Sequence, residues 1–409
     1  MRILIVTHAG GSPYHGPNMR WYHLGQALKS KNIEVEIVSS SVFHKYIDPP
    51  QITNAIERDE IDGLQYHWLR TSPYKSRGFQ QVLNQLQFVF QAFRFSKVLA
   101  DRKPDLVIAS SPHPFVVFPA RRIAKKLSVP FLYEVRDLWP ELLMQLGGFG
   151  SWHPYIVLNK LAEKYAVKHA DLILSVKPGD ADYFVEKYAI DRDRCAYIPN
   201  GFFPGHAGIK ATKSRELLGL RNRYKYLVGY VGAISRYYGM EELVRLADSF
   251  QHRQDVGFII FGGGDQAKDI ERLASDCGLK NFYMLGKIPR NEVDEALNLF
   301  DVCYVGLQDL DVHKYGISCN KIYEYMFNSR VILGCYQAGH DPVVAGNCGI
   351  TVSPGNTAEL AKALQCLLSD KKNREQLGSN GRIYFEAHHH FSKVADLLIN
   401  HLVSLMRRA

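Results

Sequence analysis

The chain has 409 residues, 46% hydrophobic and 22% charged, with a formal net charge of +9. That describes an ordinary soluble protein of two or three domains and excludes disorder, collagen or a coiled coil as the whole answer. Seven cysteines with no C-x-x-C pair, six of them beyond residue 270, indicate reduced thiols in a cytosolic compartment, not a disulfide or zinc framework. The longest apolar runs, such as Phe115 to Phe118, fall far short of the roughly 18 residues that span a bilayer. Met1-Arg2 followed by only Ile3 to Val6 lacks the apolar core of a signal peptide, so a cytoplasmic location is expected.

Along the first two hundred residues, β-branched runs alternate with amphipathic stretches. Arg2 to Thr7, Glu34 to Ser39, Leu64 to Leu69, Asp105 to Ala109, Phe131 to Val135 and Leu172 to Ser175 read as buried strands. Met19 to Lys31, Gln80 to Asp101, Phe115 to Leu127 and Pro154 to His169 have helix length and spacing. Strand and helix in alternation predict a parallel sheet covered on both faces. Pro199-Asn200-Gly201 is a turn signal, and the stretch from there to Arg223 reads as a linker, residues 201–223.

The same grammar restarts at Tyr226. Strands are predicted at Tyr226 to Val231, Gly257 to Phe261, Phe282 to Leu285, Val302 to Val305 and Val331 to Gly334. Helices are predicted at Glu241 to Gln251, Gln266 to Cys277, Arg290 to Phe300, Lys321 to Phe327 and Thr357 to Ser369. The expectation is an α/β protein with two doubly wound, Rossmann-like domains, 1–200 and 224–385, facing a central cleft, because open parallel sheets bind ligands beyond the carboxyl ends of their strands. The amphipathic stretch Phe391 to Met406 would fold back onto the first domain. His388-His389-His390, a consecutive run without ligand spacing, reads as solvated.

The charge is uneven. Between Arg70 and Lys126 stand eleven basic residues and two acids, Asp101 and Asp105, interleaved with Phe88, Phe90, Phe93, Phe95, Phe115 and Phe118. Cations with aromatics suit a surface that meets anionic lipid or nucleic acid; a solvated face over a normal core is the alternative.

Several loops have the composition of ligand sites. Gly10-Gly11, after the first strand, leads into a helix, where small residues let amides approach an anion. Neither G-x-G-x-x-G nor a G-K-[ST] ending is present, which argues against hydride transfer and ATP hydrolysis. Gly232 to Gly239 holds one cation, Arg236, suited to a phosphate. Gly262-Gly263-Gly264-Asp265 is a glycine run dense enough to suggest close ligand approach. In Ser318-Cys319-Asn320-Lys321-Ile322-Tyr323-Glu324-Tyr325-Met326, Ser318 is a candidate helix cap, Asn320 and Lys321 sit at the helix start, and Glu324 lies one turn inward. A carboxylate there can accept two ribose hydroxyls while the helix start receives a diphosphate. His8, His15 and His113 fall at strand-end loops.

The order of Gly232 to Gly239, Gly262 to Asp265, Gly286-Lys287-Ile288-Pro289, Ala296 to Gly306 and the Asn320 to Met326 stretch, with Gly10-Gly11 and Arg136-Asp137-Leu138-Trp139-Pro140-Glu141, resembles glycosyltransferase family 4, closest to its bacterial polysaccharide and O-antigen branch. The resemblance implies a retaining, metal-independent transferase of the GT-B fold that needs no cofactor besides its nucleotide-sugar co-substrate, a UDP-sugar being favoured. It implies Glu324 as the ribose acid, with Gly316 where the family's first acid would stand. Arg236 and Lys321 would neutralise the diphosphate, Tyr238 occupying the approximate place of a family Lys. Gly10, Gly11, Gly232, Gly263, Gly264, Lys287, Ile288, Ser318 and Asn320 would complete the donor site. Arg136-Asp137 replaces a family His-Asp, so both are catalytic candidates, although Arg136 could equally serve Glu134 or Glu141. Asp137 and His113 fall on the acceptor side. The expected partners are a nucleotide-sugar, a lipid-linked oligosaccharide acceptor and the anionic inner face of the cell membrane, without nucleic acid. The competing readings are a nucleotide-sugar 2-epimerase of the same fold and a nucleic-acid-binding or scaffold protein.

Overall fold

The computed structural model describes all residues except 17, 75–77, 97–102, 112, 204–213 and 409. The chain divides into two compact units, Met1–Asn200 with Phe391–Ala409, and Gly201–His390.

The first unit holds an eight-stranded sheet. Its strands are β1 (Arg2–Thr7), β2 (Glu34–Ser40), β3 (Ile56–Ile61), β4 (Leu64–Leu69), β5 (Leu106–Ser110), β6 (Phe131–Val135), β7 (Leu172–Ser175) and β8 (Cys195–Tyr197). The order is β3-β4-β2-β1-β5-β6-β7-β8, all parallel except the β3–β4 pair. Strands β1, β5, β6 and β7 are apolar and almost wholly buried, the mark of strands with helices on both faces. Strand β3 escaped the sequence reading because Glu57, Arg58, Asp59 and Glu60 break its hydrophobic pattern. It lies at the sheet edge, where charge discourages further pairing, and Asp62-Gly63, both at positive φ, make the tight turn into β4.

The helix Arg20–Lys29 buries Trp21, Leu24 and Leu28 against this sheet. The C-terminal helix Phe391–Arg408 adds Phe391, Val394, Ala395, Leu398 and Leu402 to the same core, and Lys31 pairs with its Asp396 at 2.7 Å. The helix read over Gln80 to Asp101 spans Phe79–Phe95, with 97–101 outside the described residues. Lys75, Arg77, Lys97 and Arg102 of the basic window, and Pro112, lie outside them as well.

In the second unit β9 (Tyr226–Ala233), β10 (Val256–Gly263), β11 (Phe282–Met284), β12 (Val302–Gly306), β13 (Ile332–Cys335) and β14 (Gly349–Val352) form a parallel sheet in the order β11-β10-β9-β12-β13-β14. Two apolar clusters cover its faces.

Two expectations are corrected here. The segment read as a linker contains a helix, Ser214–Arg223, which buries Leu217; its charged residues concealed the Leu217, Leu218, Leu220 spacing, and 204–213 lie outside the described residues. The histidine run is not uniformly solvated. His389 is buried, with its ring stacked at 4.0 Å on Tyr323, because the chain turns inward between the helix Lys371–His388 and the C-terminal helix.

Candidate active site

In the second unit the site candidates converge at the carboxyl ends of β9, β10 and β11. Ile234 N–H donates to the Gly263 carbonyl at 3.0 Å and Gly262 N–H to the Gly286 carbonyl at 2.8 Å, which locks three loops together. Gly232 and Gly264 have φ of 149° and 159°, a region open to glycine. A Cβ on Gly232 would collide with Lys321, one on Gly262 with the Gly232 carbonyl and one on Gly264 with the Ile234 carbonyl. Chain-to-chain approach thus accounts for Gly262 and Gly264 without a ligand. The stem of Lys287 lies over Gly263, its end exposed, and Ile288 packs on the core.

The helix Asn320–Phe327 starts beneath these loops. Ser318 is not its cap: the capping position is Cys319, with no side-chain cap hydrogen bond, because the helix begins one residue later than that role requires. The Cys319 side chain therefore offers the first amides no acceptor of the kind that Ser, Thr, Asp or Asn supplies at that position. Lys321 is buried, its Nζ 3.2 Å from the Tyr238 ring centroid and 5.2 Å from that of Tyr230. Burial pulls its ammonium down to about 8. One turn on, Glu324 pairs with Arg290, and Arg290 lies 5.0 Å from the Phe202 ring centroid. Burial raises the Glu324 carboxyl above the usual range, with Arg290 and Lys321 opposing the shift. Arg236, exposed, stands two residues before Tyr238 in the short turn Arg236–Tyr238. At Gly316, φ is 103° and the N–H donates to the His313 carbonyl at 2.8 Å. Arg290 was missed as a site residue; its signal was a cation directly after the Lys287-Ile288-Pro289 loop.

In the first unit the candidates gather at the carboxyl ends of β1, β5 and β6, whose register aligns Thr7 with Ser110 and Ser110 with Glu134. Gly10 N–H donates to Ser39 Oγ at 2.8 Å, and the Gly11 carbonyl accepts from Tyr66 at 3.1 Å. His8 Nε2 lies 2.6 Å from Asn84 Oδ1, and its ring is 4.8 Å from that of His113. Neither nitrogen of the buried His113 has a partner among the described residues. Burial lowers His8 to about 4 and lowers His113 as well, so both rings are neutral near pH 7. Arg136 N–H donates to Ser111 Oγ at 2.9 Å, and Asp137 is exposed.

Burial lowers the pKa of the Arg136 guanidinium, and the Glu134 charge opposes that shift, but the cation in direct contact with Glu134 is Arg20. Arg20 Nε meets Glu134 at 2.9 Å, while its other nitrogens reach the carbonyls of Ile198 and Pro199. Glu134 also accepts from Trp21 at 2.8 Å and Ser110 at 2.5 Å. Glu141 pairs with Lys187 at 2.7 Å. Arg20, a lone cation after the Gly16-Pro17-Asn18-Met19 loop, carried no sequence sign of this role.

Residues 15–201 match the family model described as a glycosyl transferase 4-like domain, and residues 219–384 match glycosyl transferases group 1. The α-D-kanosaminyltransferase of Streptomyces kanamyceticus is 27% identical over 248 residues, 59% of this chain and 62% of that protein, so the match takes in less than two thirds of the relative. Among solved structures, the sucrose-phosphate synthase of Thermosynechococcus elongatus aligns over all of both chains with a TM-score of 0.75 at 16% identity. HepE of Anabaena in complex with UDP aligns over 99% of this chain and 100% of that one, with a TM-score of 0.68 at 15% identity. The two parallel-sheet α/β units are those of the GT-B glycosyltransferases. The chain belongs to glycosyltransferase family 4, both of whose domains it contains.

Proposed function

We propose that this protein transfers a sugar from a UDP-sugar to a lipid-linked glycan acceptor at the cytoplasmic face of the membrane, with retention of anomeric configuration, in bacterial surface polysaccharide synthesis. The observation that carries the donor half is the helix Asn320–Phe327. Its capping residue, Cys319, makes no side-chain cap hydrogen bond, Lys321 lies at its second position against Gly232, and Glu324 follows one turn later. In this reading Glu324 accepts the ribose hydroxyls, Lys321 and Arg236 receive the diphosphate, and the amides of Asn320 and Lys321 add positive potential. The UDP bound by HepE supports the choice of base, and Lys287 and Ile288 would border it.

In the reaction the acceptor hydroxyl oxygen bonds to the sugar's anomeric carbon on the face from which the diphosphate departs. The bond from that carbon to phosphate oxygen breaks, and the leaving phosphate takes the hydroxyl proton. The protein supplies alignment and charge stabilisation, with Lys321 and Arg236 toward the departing oxygen and Arg136, Asp137 and His113 toward the acceptor. No described helix is long and apolar enough to cross a membrane, so the acceptor would be met from the surface. The test is incubation with UDP-, GDP-, ADP- and CMP-sugars and a polyprenyl-diphosphate-linked sugar, with product anomers assigned by NMR. Transfer from a UDP-sugar with retention is expected; inversion, or no binding of any of the four donors, overturns the reading.

A further inference from the structure

The expected lipid-facing surface is composed differently from its sequence description. Phe88, Phe95 and Phe115 belong to the core, at 0%, 1% and 5% exposure. What the first unit exposes is an apolar stripe on the outer side of the helix Phe79–Phe95. Phe79, Leu83, Leu86 and Phe90 recur at intervals of four, three and four residues, so they share one helical face. Phe79 is 82% and Phe90 60% exposed. The opposite face, with Asn84, Gln85, Phe88, Ala92 and Phe95, is buried. This helix is therefore apolar on two sides, one of them exposed among the described residues.

A second apolar row stands nearby, outside the basic window altogether. Leu158 and Leu161 are exposed on the helix Pro154–His169, and Trp152 just before it is 90% exposed. Tyr155 donates to Gln85 at 3.0 Å, which ties this helix to the first. Between them in sequence, and packed against both, lies the segment Pro114–Leu127, a short turn running into the helix Val117–Leu127.

Charge is segregated along these three helices. Together they contain eight Lys and Arg and one acid, Glu163, which is buried. Five of the cations, Arg94, Lys125, Lys126, Lys164 and Lys168, occupy the C-terminal halves, with Arg121 and Arg122 at the middle of the second helix, whereas Phe79, Leu83, Leu86 and Phe90 all precede Arg94 in the first helix and Leu158 and Leu161 precede Lys164 in the third. Desolvation lowers the His169 pKa, and Arg121, Lys168 and Lys125 are close enough to lower it further. Each helix returns the chain between parallel strands, so its N-terminal half lies toward the strand carboxyl ends, where His113 and Arg136 stand. The apolar band therefore lies toward the candidate acceptor residues and the cationic band away from them.

We propose that this face inserts into an anionic bilayer: Phe79, Leu83, Leu86, Phe90, Trp152, Leu158 and Leu161 enter the headgroup boundary while the cationic band binds lipid phosphates. Exposed apolar area on this scale marks an interaction surface. Helices whose exposed charges are all cationic favour a phosphate-bearing partner, and segregation of apolar and cationic residues along them matches a bilayer's apolar and charged layers. The proposal rests on the membrane reading above and locates the lipid-linked acceptor's approach at the end of the first unit that carries the acceptor candidates.

The experiment uses the full chain with vesicles of phosphatidylglycerol and phosphatidylcholine in equal parts, and with phosphatidylcholine alone. Flotation on the anionic vesicles at low salt, falling steeply as salt screens the attraction, is expected. Trp152 emission should be quenched by brominated lipid, a signal lost in Trp152→Phe. With Trp152 in place, the pairs Phe79→Ser with Phe90→Ser, and Leu158→Ser with Leu161→Ser, should each reduce that quenching severalfold. Lys164→Glu with Lys168→Glu should cut partitioning by well over tenfold, since each removed cation is worth about fivefold. Failure to float at low salt, flotation without Trp152 quenching, or a dimer lost in the Phe79→Ser, Phe90→Ser variant would each overturn insertion. UDP titration of every variant separates the two readings: intact nucleotide binding with failed flotation sinks the docking face alone, and flotation without nucleotide binding sinks the UDP-sugar donor.

Discussion

Lys321 carries its ammonium 3.2 Å from the centroid of the Tyr238 ring, so the short turn Arg236–Tyr238 holds a cation supplied by the helix Asn320–Phe327. The ring face partly compensates a charge that has been taken out of water. Removing the aromatic face should cost UDP binding about 0.5–2 kcal/mol, the range for a cation over a ring. Tyr238→Phe should bind UDP like the wild type and Tyr238→Leu more weakly, by titration calorimetry. Equal affinity in all three would show that the ring does not position Lys321.

Burial brings Lys321 down to about 8, and a bound diphosphate would raise it again by favouring the charged form. The free protein therefore carries the proton below pH 8, where UDP affinity should be level. Above pH 8 binding must first take up a proton, and affinity should fall by up to tenfold per pH unit until the pKa of the complex is reached. Lys321→Arg, charged throughout, should flatten this decline. A slope that persists unchanged in Lys321→Arg assigns it to another group.

Glu324 and Arg290 are predicted to act in opposite directions. Glu324→Gln should weaken UDP binding by about 2 kcal/mol, as for a lost charged hydrogen-bond partner. Arg290→Ala should leave binding equal or tighter, because the ribose no longer displaces an ion pair from the Glu324 carboxylate. Weaker binding by the Arg290 variant would mean that this side chain contacts the nucleotide itself.

For Arg20 and Glu134 the expectation concerns stability. Their side chains are 3% and 0% exposed, and removing one partner strands a buried charge. Arg20→Ala should lower unfolding stability by roughly 3–5 kcal/mol, and denaturant melts should show it; a change below about 1 kcal/mol, the scale of an exposed pair, would contradict the burial.

The sequence by itself determined the two-sheet α/β plan and much of the donor motif. Continuous apolar strands such as Ile3 to Val6 and Val228 to Val231 must be covered on both faces, and helical spacing between them leaves few alternatives. The helix start at Asn320 and the turn from Lys321 to Glu324 were legible for the same reason, since neighbours three or four apart on a helix are neighbours in space. Only the tertiary structure decided which charges meet. Arg20 reaches Glu134 across 114 positions and Arg290 reaches Glu324 across 34, through strand order that no local pattern records. It also decided which phenylalanines face out. Phe88 and Phe90 differ by two places on one helix, and that difference, about 200° of rotation, sends one into the core and the other to solvent. Strand β3 and the helix Ser214–Arg223 remained hidden because edge and surface elements bury few side chains, leaving their charge to mask the apolar spacing.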